Sequence, residues 1–452
     1  MTLLVISPDY LSHLLPLAAL ATEWRDEGTR VVVASGPATR ATTVDFGFEH
    51  VEVPLGRGSN AGVIRAEDQV AGEDEALRGF FAVTRVGAVE TLRYQADARR
   101  SDLLWDPVAT ARRVLAVVDS VRPDQLIVDH LAFSARLALR AAGVPHTAVV
   151  LGHPTALPVG GEIYGYPPSW PVAFRPQPEA LAGLLERCIE VRDAFTTAWN
   201  AALAELAPTA APVVDAFAEH ADLTLLNYPA ALHDADRTAL LPNHAFLGSS
   251  VRRQIAPADV AAWLDADADI PVVYVSFGSF LSVRADVLSR VASALAGLPV
   301  RVALAVGSAD PAVLGELPDR WLVREFLPQV ALLERAALAV THGGNNSVTE
   351  ALTFGVPMMV LPFSTDQFAG AAAVENAGVG VVLDPNRAGV AELRAAMVGV
   401  LEGAERATAQ AVGQSLRSAP GREIARAAVG GLTDPSHRGP SRAHHATVRP
   451  GR

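Results

Sequence analysis

The sequence predicts an α/β protein built from two Rossmann-like domains. Three observations carry that reading. Short apolar, β-rich runs alternate with amphipathic helical patterns through the first 228 residues, the same alternation resumes after residue 270, and a segment rich in Pro, Asp, Ala and Asn separates the two stretches. Such βα alternation makes an open parallel sheet covered by helices on both faces. At 452 residues the chain exceeds one ordinary core, so two domains of roughly 200 residues each are expected.

In the first half, residues 2–7, 30–34, 50–53, 125–128, 146–151 and 223–226 read as strands, with helical patterns such as 14–27 and 131–142 between them. In the second half the strands are 272–277, 300–306, 338–341, 357–361 and 379–383. The first domain is therefore placed at 1–228 and the second at 271–432, its final helix expected to pack back on the first. Between them, 229–270 reads as a linker, because Tyr228-Pro229, Leu241-Pro242 and Ala256-Pro257 interrupt regular structure. Residues 55–104 and 152–178 look like insertions over a cleft, the kind of loop that carries recognition on a rigid scaffold. The Pro-broken stretch 433–452 reads as a disordered tail.

Composition removes several function classes. Net charge is −12, and all 37 basic residues are Arg, without a basic tract, which argues against nucleic-acid binding. Half of the residues are hydrophobic, yet no run of about 18 uninterrupted apolar residues predicts a membrane-spanning helix. The start lacks a basic n-region and meets Asp9 early, so no signal peptide is expected and a cytoplasmic location is. Cys188 is the single cysteine. It excludes an internal disulfide and a multi-thiolate metal site and reads as a packed small hydrophobe. Asp265, Asp267 and Asp269 carry an Asp-x-Asp spacing used to hold a divalent cation on a sugar diphosphate. They precede a strand, within the linker, and lack further ligands, so a solvated acidic turn is expected, with no essential metal and no cofactor.

Ligands of open α/β sheets bind beyond the carboxyl ends of the strands. The apolar strand over 336–340 runs into Thr341-His342-Gly343-Gly344-Asn345-Asn346-Ser347. Its glycines let a phosphate approach the backbone, and Asn346-Ser347 open a helix to about Phe354 whose first N–H groups suit an anion. Glu350 lies one turn after Asn346 on the same face, where a carboxylate can accept ribose hydroxyls. Strand 272–277 ends at Gly278-Ser279, a small turn and a hydroxyl that suit a phosphate. Upstream stand Phe326-Leu327-Pro328-Gln329, and downstream Pro362 and Asp366-Gln367. Each feature has a plainer reading as tight turn, helix cap, helix start or solvated residue. Their joint spacing favours a nucleotide-sugar site.

These motifs resemble the family 1 glycosyltransferases of GT-B fold, in particular the bacterial natural-product branch that serves macrolide-type antibiotics. The resemblance covers nearly the whole chain and is sharpest from 326 to 367. It implies two domains facing across a cleft and an inverting, metal-independent transfer of a hexose from a UDP- or dTDP-sugar to a hydroxyl of an apolar small molecule. By the same match Phe326, where the family often has Trp, stacks on the base beside Leu327, and Gln329 contacts the nucleotide. His342, Gly343, Gly344, Asn346 and Ser347 hold the diphosphate, the helix-start donors and His342 offsetting its charge in place of a metal. Glu350 holds the ribose, and Asp366 with Gln367 the sugar hydroxyls, a pair favouring a gluco-configured donor. The loop Asp9-Tyr10-Leu11-Ser12-His13-Leu14-Leu15-Pro16 looks like the family's catalytic-His loop, with Ser12 in place of the usual Gly. His13 is then the general base, kept neutral at a helix start by the dipole. Asp129, at the end of strand 125–128, is its orienting partner. Phe80, Phe81, Tyr164, Tyr166, Trp170 and Phe174 in the insertions suggest a pocket for a polyketide, macrolide or flavonoid-like acceptor. Two alternatives are a two-domain nucleotide-sugar epimerase, which would lack a base like His13, and a non-catalytic nucleotide-sugar-binding protein.

Overall fold

The computed structural model describes residues 1–59, 73–278 and 284–433. It contains two parallel sheets. The first runs β3-β2-β1-β4-β5-β6-β7, formed by Glu49–Glu52, Arg30–Ser35, Thr2–Ile6, Gln125–Asp129, Thr147–Val150, Leu223–Leu226 and His244–Phe246. The second runs β10-β9-β8-β11-β12-β13, formed by Leu322–Arg324, Arg301–Ala305, Val272–Ser276, Ala336–Thr341, Met358–Val360 and Gly380–Val382. Central strands such as β4 and β8 are buried at every position. That is why they read as unbroken apolar runs: helices cover both faces of a parallel sheet.

Two strands depart from the expected plan. β7 lies inside the stretch expected to be a linker, and it pairs with β6 as the edge of the first sheet, Thr224 opposite His244 and Leu226 opposite Phe246. The regular structure of the first sheet therefore reaches residue 246, not 228. β10 pairs with β9 through three residues. Both are too short to show a period of two against their Pro-rich surroundings.

One face of the first sheet is covered by the helix Leu11–Asp26 and by the last helix, Gly421–Thr433. Leu17, Leu20 and Trp24 share a core there with Ala425 and Val429. Between the sheets an apolar core crosses from Leu226, Tyr228 and Leu232 to Leu264, Val272 and Leu332. Cys188 is buried beside Leu184 and Val191, and burial pushes its thiol up to about 11. Among the described residues no helix is long and apolar enough to cross a membrane. Residues 434–452, the expected tail, lie outside the described ones, as does Ser279.

Candidate active site

Each sheet reverses its strand order once, and a crevice opens where it does. In the first sheet the reversal falls between β1 and β4, paired in register from Leu3 opposite Gln125 to Ile6 opposite Val128. The two strand ends are therefore level. His13 stands in the first turn of the helix that follows β1, and Asp129 closes β4. Their side chains meet, His13 Nδ1 lying 2.7 Å from Asp129 Oδ2. An ionised carboxylate can only accept, so Nδ1 carries the proton and Nε2 keeps a free lone pair. Asp129 is 1% exposed, and its Oδ1 accepts the Leu131 N–H at 2.8 Å.

Burial alone would lower the His13 pKa. The charge of Asp129, its hydrogen bond and the more distant charge of Asp366 outweigh that effect, and the pKa is raised above its ordinary value. The shift runs opposite to the one expected from the helix start. A carboxylate in contact acts more strongly than the partial charge of a helix terminus.

In the second sheet the reversal falls between β8 and β11, with Ser276 opposite Thr341. Gly278 follows one strand and His342 the other. A Cβ on Gly278 would lie 3.1 Å from His342 Cε1, and one on Gly344 would lie 2.4 Å from Nε2, so both glycines make room for the imidazole. Gly343 has φ +82° and turns the chain into the helix Asn345–Thr353, whose start lines the cleft. Burial pushes the His342 pKa down to about 4 against the charge of Asp366 and a hydrogen bond with Ser276. The imidazole is uncharged here, so it presents the cleft with a hydrogen-bonding group and no positive charge.

Glu350 is 7% exposed and pinned from two sides: Arg252 donates to Oε1 at 3.0 Å and Gln329 Nε2 to Oε2 at 2.6 Å. The carbonyl of Gln329 in turn accepts the Tyr274 hydroxyl at 3.2 Å. Burial raises the Glu350 pKa, with Arg252 and Gln329 holding part of the shift back. Phe326 is 64% exposed at the cavity, a free face for stacking, whereas Leu327 is 2% exposed and anchors that platform in the interdomain core.

Several predicted contact residues are already engaged within the protein. The Asn346 amide donates to the Ser12 carbonyl at 2.7 Å, and Asn345 donates to the Leu151 and Asn227 carbonyls at 2.7 and 2.8 Å. Asp366 Oδ2 accepts the His153 N–H at 2.6 Å, and Gly152 keeps that approach open, since a Cβ there would lie 2.8 Å from the same oxygen. The Gln367 carbonyl accepts the Phe363 and Ser364 N–H groups at 3.0 and 3.2 Å, and its amide reaches the Ser364 hydroxyl at 3.3 Å. Gln367 thus closes its own loop. To reach a sugar it must give up those bonds. Ser347 lines the cavity beside them.

One cavity of about 1680 Å³ joins both switch points. Of the aromatic residues expected in the acceptor pocket, Phe80, Tyr164 and Tyr166 line it. Phe81 does not; its ring packs against Phe80 at 5.5 Å. Nor do Trp170 and Phe174, which lean on Phe368 at 5.0 and 5.2 Å inside a separate apolar cluster. Leu55, Tyr94, Trp105 and Phe133 line the cavity instead. The residue that sequence reasoning missed outright is Arg252. Its only signal is the doublet Arg252-Arg253 in a stretch read as linker. In the acidic segment, Asp265 pairs with Arg335 at 3.6 Å, and no group of three or more His, Cys, Asp or Glu is placed to hold a metal ion among the described residues.

Known proteins resemble this chain in sequence and in fold. The sequence model described as UDP-glucoronosyl and UDP-glucosyl transferase matches residues 185–408. Oleandomycin glycosyltransferase of Streptomyces antibioticus is 32% identical over 260 residues, 57% of this chain and 56% of that protein. A PGL/p-HBAD biosynthesis glycosyltransferase of Mycobacterium tuberculosis is 34% identical over 164 residues, 36% of this chain and 37% of that one. The chain thus spans about half or less of the length of the curated relatives it matches. Among solved structures, the glycosyltransferase of kitacinnamycin superposes with a TM-score of 0.69 at 22% identity, covering 96% of this chain and 99% of that one. The glycosyltransferase VinC, solved in complex with DTDP, gives 0.65 at 20% identity, covering 95% and 99%. At such identities the likeness is one of fold, two parallel sheets facing across a cleft.

Proposed function

We propose that this chain belongs to the UDP-glucoronosyl and UDP-glucosyl transferase family, whose model matches residues 185–408, and that it moves a hexose from a UDP- or dTDP-sugar to a hydroxyl of an apolar small molecule, with inversion. The observation that carries the reading is the 2.7 Å His13–Asp129 pair set across one cavity from the glycine turn at His342. The Asn346 amide on the Ser12 carbonyl ties the base loop directly to the donor loop. Relatives with glycosyltransferase names support the same reading.

In this mechanism the Nδ1–H of His13 stays on Asp129 while Nε2 takes the proton of the acceptor hydroxyl. The acceptor oxygen forms its bond to the anomeric carbon as the bond from that carbon to the diphosphate oxygen breaks, and the electron pair leaves with the diphosphate. One displacement inverts the centre. N–H groups at the start of the helix Asn345–Thr353, with the His342 imidazole, receive the leaving charge. Phe326 stacks on the base, Glu350 takes the ribose hydroxyls with Arg252 and Gln329 holding its carboxylate, and Asp366 takes a sugar hydroxyl. No divalent ion takes part.

Incubation with UDP-glucose or dTDP-glucose and a panel of phenols and macrolactones, followed by product mass, tests the reading. A glycoside is expected, undiminished by EDTA. His13→Ala is expected to lower turnover roughly 10²- to 10⁴-fold while nucleotide binding persists. Nucleotide release without any glycoside across the panel would overturn the transferase, and activity lost to EDTA and restored by Mg²⁺ or Mn²⁺ would overturn the metal-free mechanism.

A further inference from the structure

We infer that Arg99 builds an anion-accepting subsite in the acceptor half of the cavity, so that the molecule glycosylated carries a carboxylate remote from the hydroxyl that reacts. This rests on the transferase reading and narrows its substrate class.

Arg99 belongs to the helix Ala88–Asp102, and its guanidinium lies over the Tyr164 ring, 4.9 Å from the centroid. That ring is fixed. It stacks on Phe217 at 4.1 Å with an interplanar angle of 8°, and meets Phe133 edge-on at 6.4 Å. The next residue is Gly165, with φ +86°, where a Cβ would come within 2.7 Å of Arg99 Nη1. A glycine therefore opens the space the guanidinium occupies, and an aromatic face holds it there, a favourable arrangement for a planar cation. Arg99, Tyr164 and Gly165 all line the cavity.

Among the described residues, no ion pair joins Arg99 to a carboxylate, although other charges along this half are matched. Asp97 pairs with Arg187, and Asp129 with His13. Asp9 accepts the Ala38 and Thr39 N–H groups at 3.2 and 3.1 Å. Arg57, exposed at the same cavity, adds a second positive charge. A half-buried guanidinium with no acid beside it among the described residues is an incomplete pair. The walls around it, Leu55, Leu103, Trp105 and Phe133, are apolar. The complementary ligand is an apolar molecule with one acidic group, which Arg99 meets by charge-assisted hydrogen bonds.

The test compares hydroxynaphthoic acid with its methyl ester, two acceptors of nearly equal size that differ in that charge. Both are offered with UDP-glucose and dTDP-glucose, and their binding to the full chain is also measured by calorimetry without donor. The acid is expected to bind and react better by roughly tenfold, the scale of one charge-assisted hydrogen bond. Arg99→Gln keeps hydrogen bonding without the charge and is expected to erase the preference by weakening the acid alone. Arg99→Lys is expected to keep part of it, and nucleotide affinity is expected to stay unchanged in both variants. Equal binding of acid and ester by the unmodified protein would overturn the inference, as would an equal loss of both in Arg99→Gln, the signature of a residue that merely packs on Tyr164. The calorimetric arm is independent of turnover. An acid preference in binding without any transfer would therefore sink the transferase and leave the subsite standing.

Discussion

His13 and Asp129 are 116 residues apart, and their meeting sets a pH dependence with a definite sign. The base proposed at His13 must be neutral to accept a proton, and the His13 pKa is raised above 6.5. Activity is therefore expected to fall as pH drops, on a limb lying above pH 6.5. In Asp129→Asn the charge that raises the pKa is gone and burial is left to lower it. The limb is expected to move to lower pH while the plateau falls roughly 10²- to 10⁴-fold; a kcat/KM profile read for both proteins decides this. The pair was legible in the sequence because the loop around His13, just after the first strand, resembles the family's catalytic-His loop, and Asp129 closes a neighbouring strand pattern, where ligands collect. Arg252 was not, because its partner is 98 positions away and nothing periodic connects them. Trp170 and Phe174 misled for the opposite reason. An aromatic residue in a Pro-rich loop reads alike whether its ring faces a ligand or, as here, a buried Phe368.

Elements, more than single contacts, hold the donor loop. The helix Asn345–Thr353 is buttressed by the helix Glu405–Ser418, which approaches it at Gly413 so closely that a Cβ would sit 2.6 Å from the Leu352 carbonyl and 2.7 Å from the Gly355 nitrogen. Both neighbours are backbone and cannot swing aside. Gly413→Ala is expected to destabilise the protein by roughly 1–3 kcal/mol and to weaken nucleotide binding without touching the nucleotide site, as chemical unfolding and calorimetry would register. Long strands such as β1, β4 and β8 were legible as apolar runs. β7 and β10 were not, since three residues between loops give too short a pattern, and only a neighbouring strand makes them strands at all. The glycine turn after β11 was legible because its chemistry is local.

At the scale of the whole molecule, the two domains meet through polar contacts as well as apolar packing. Arg284, 1% exposed, donates to the Thr84 carbonyl at 3.0 Å and to Asn386 Oδ1 at 2.8 Å, and lies over Phe363. Asn386 donates to the same carbonyl at 2.9 Å. Thr84 follows the helix Glu73–Val83, whose Ala76, Leu77 and Phe80 line the cavity, so this latch clamps a cavity wall of the first domain to the second. Arg284→Ala is expected to lower the melting temperature and raise the acceptor KM several-fold while nucleotide affinity holds; an unchanged acceptor KM would show the latch to be structural only. Two domains were legible from repeated βα alternation, but such contacts depend on how the domains dock, which no local pattern encodes. The return of the last helix onto the first domain has a practical consequence for recombination. A chimaera joining this acceptor half to a foreign donor half by one crossover would strip Ala425 and Val429 from Leu17, Leu20 and Trp24, so donor exchange calls for two junctions, with 421–433 inherited alongside the amino-terminal half.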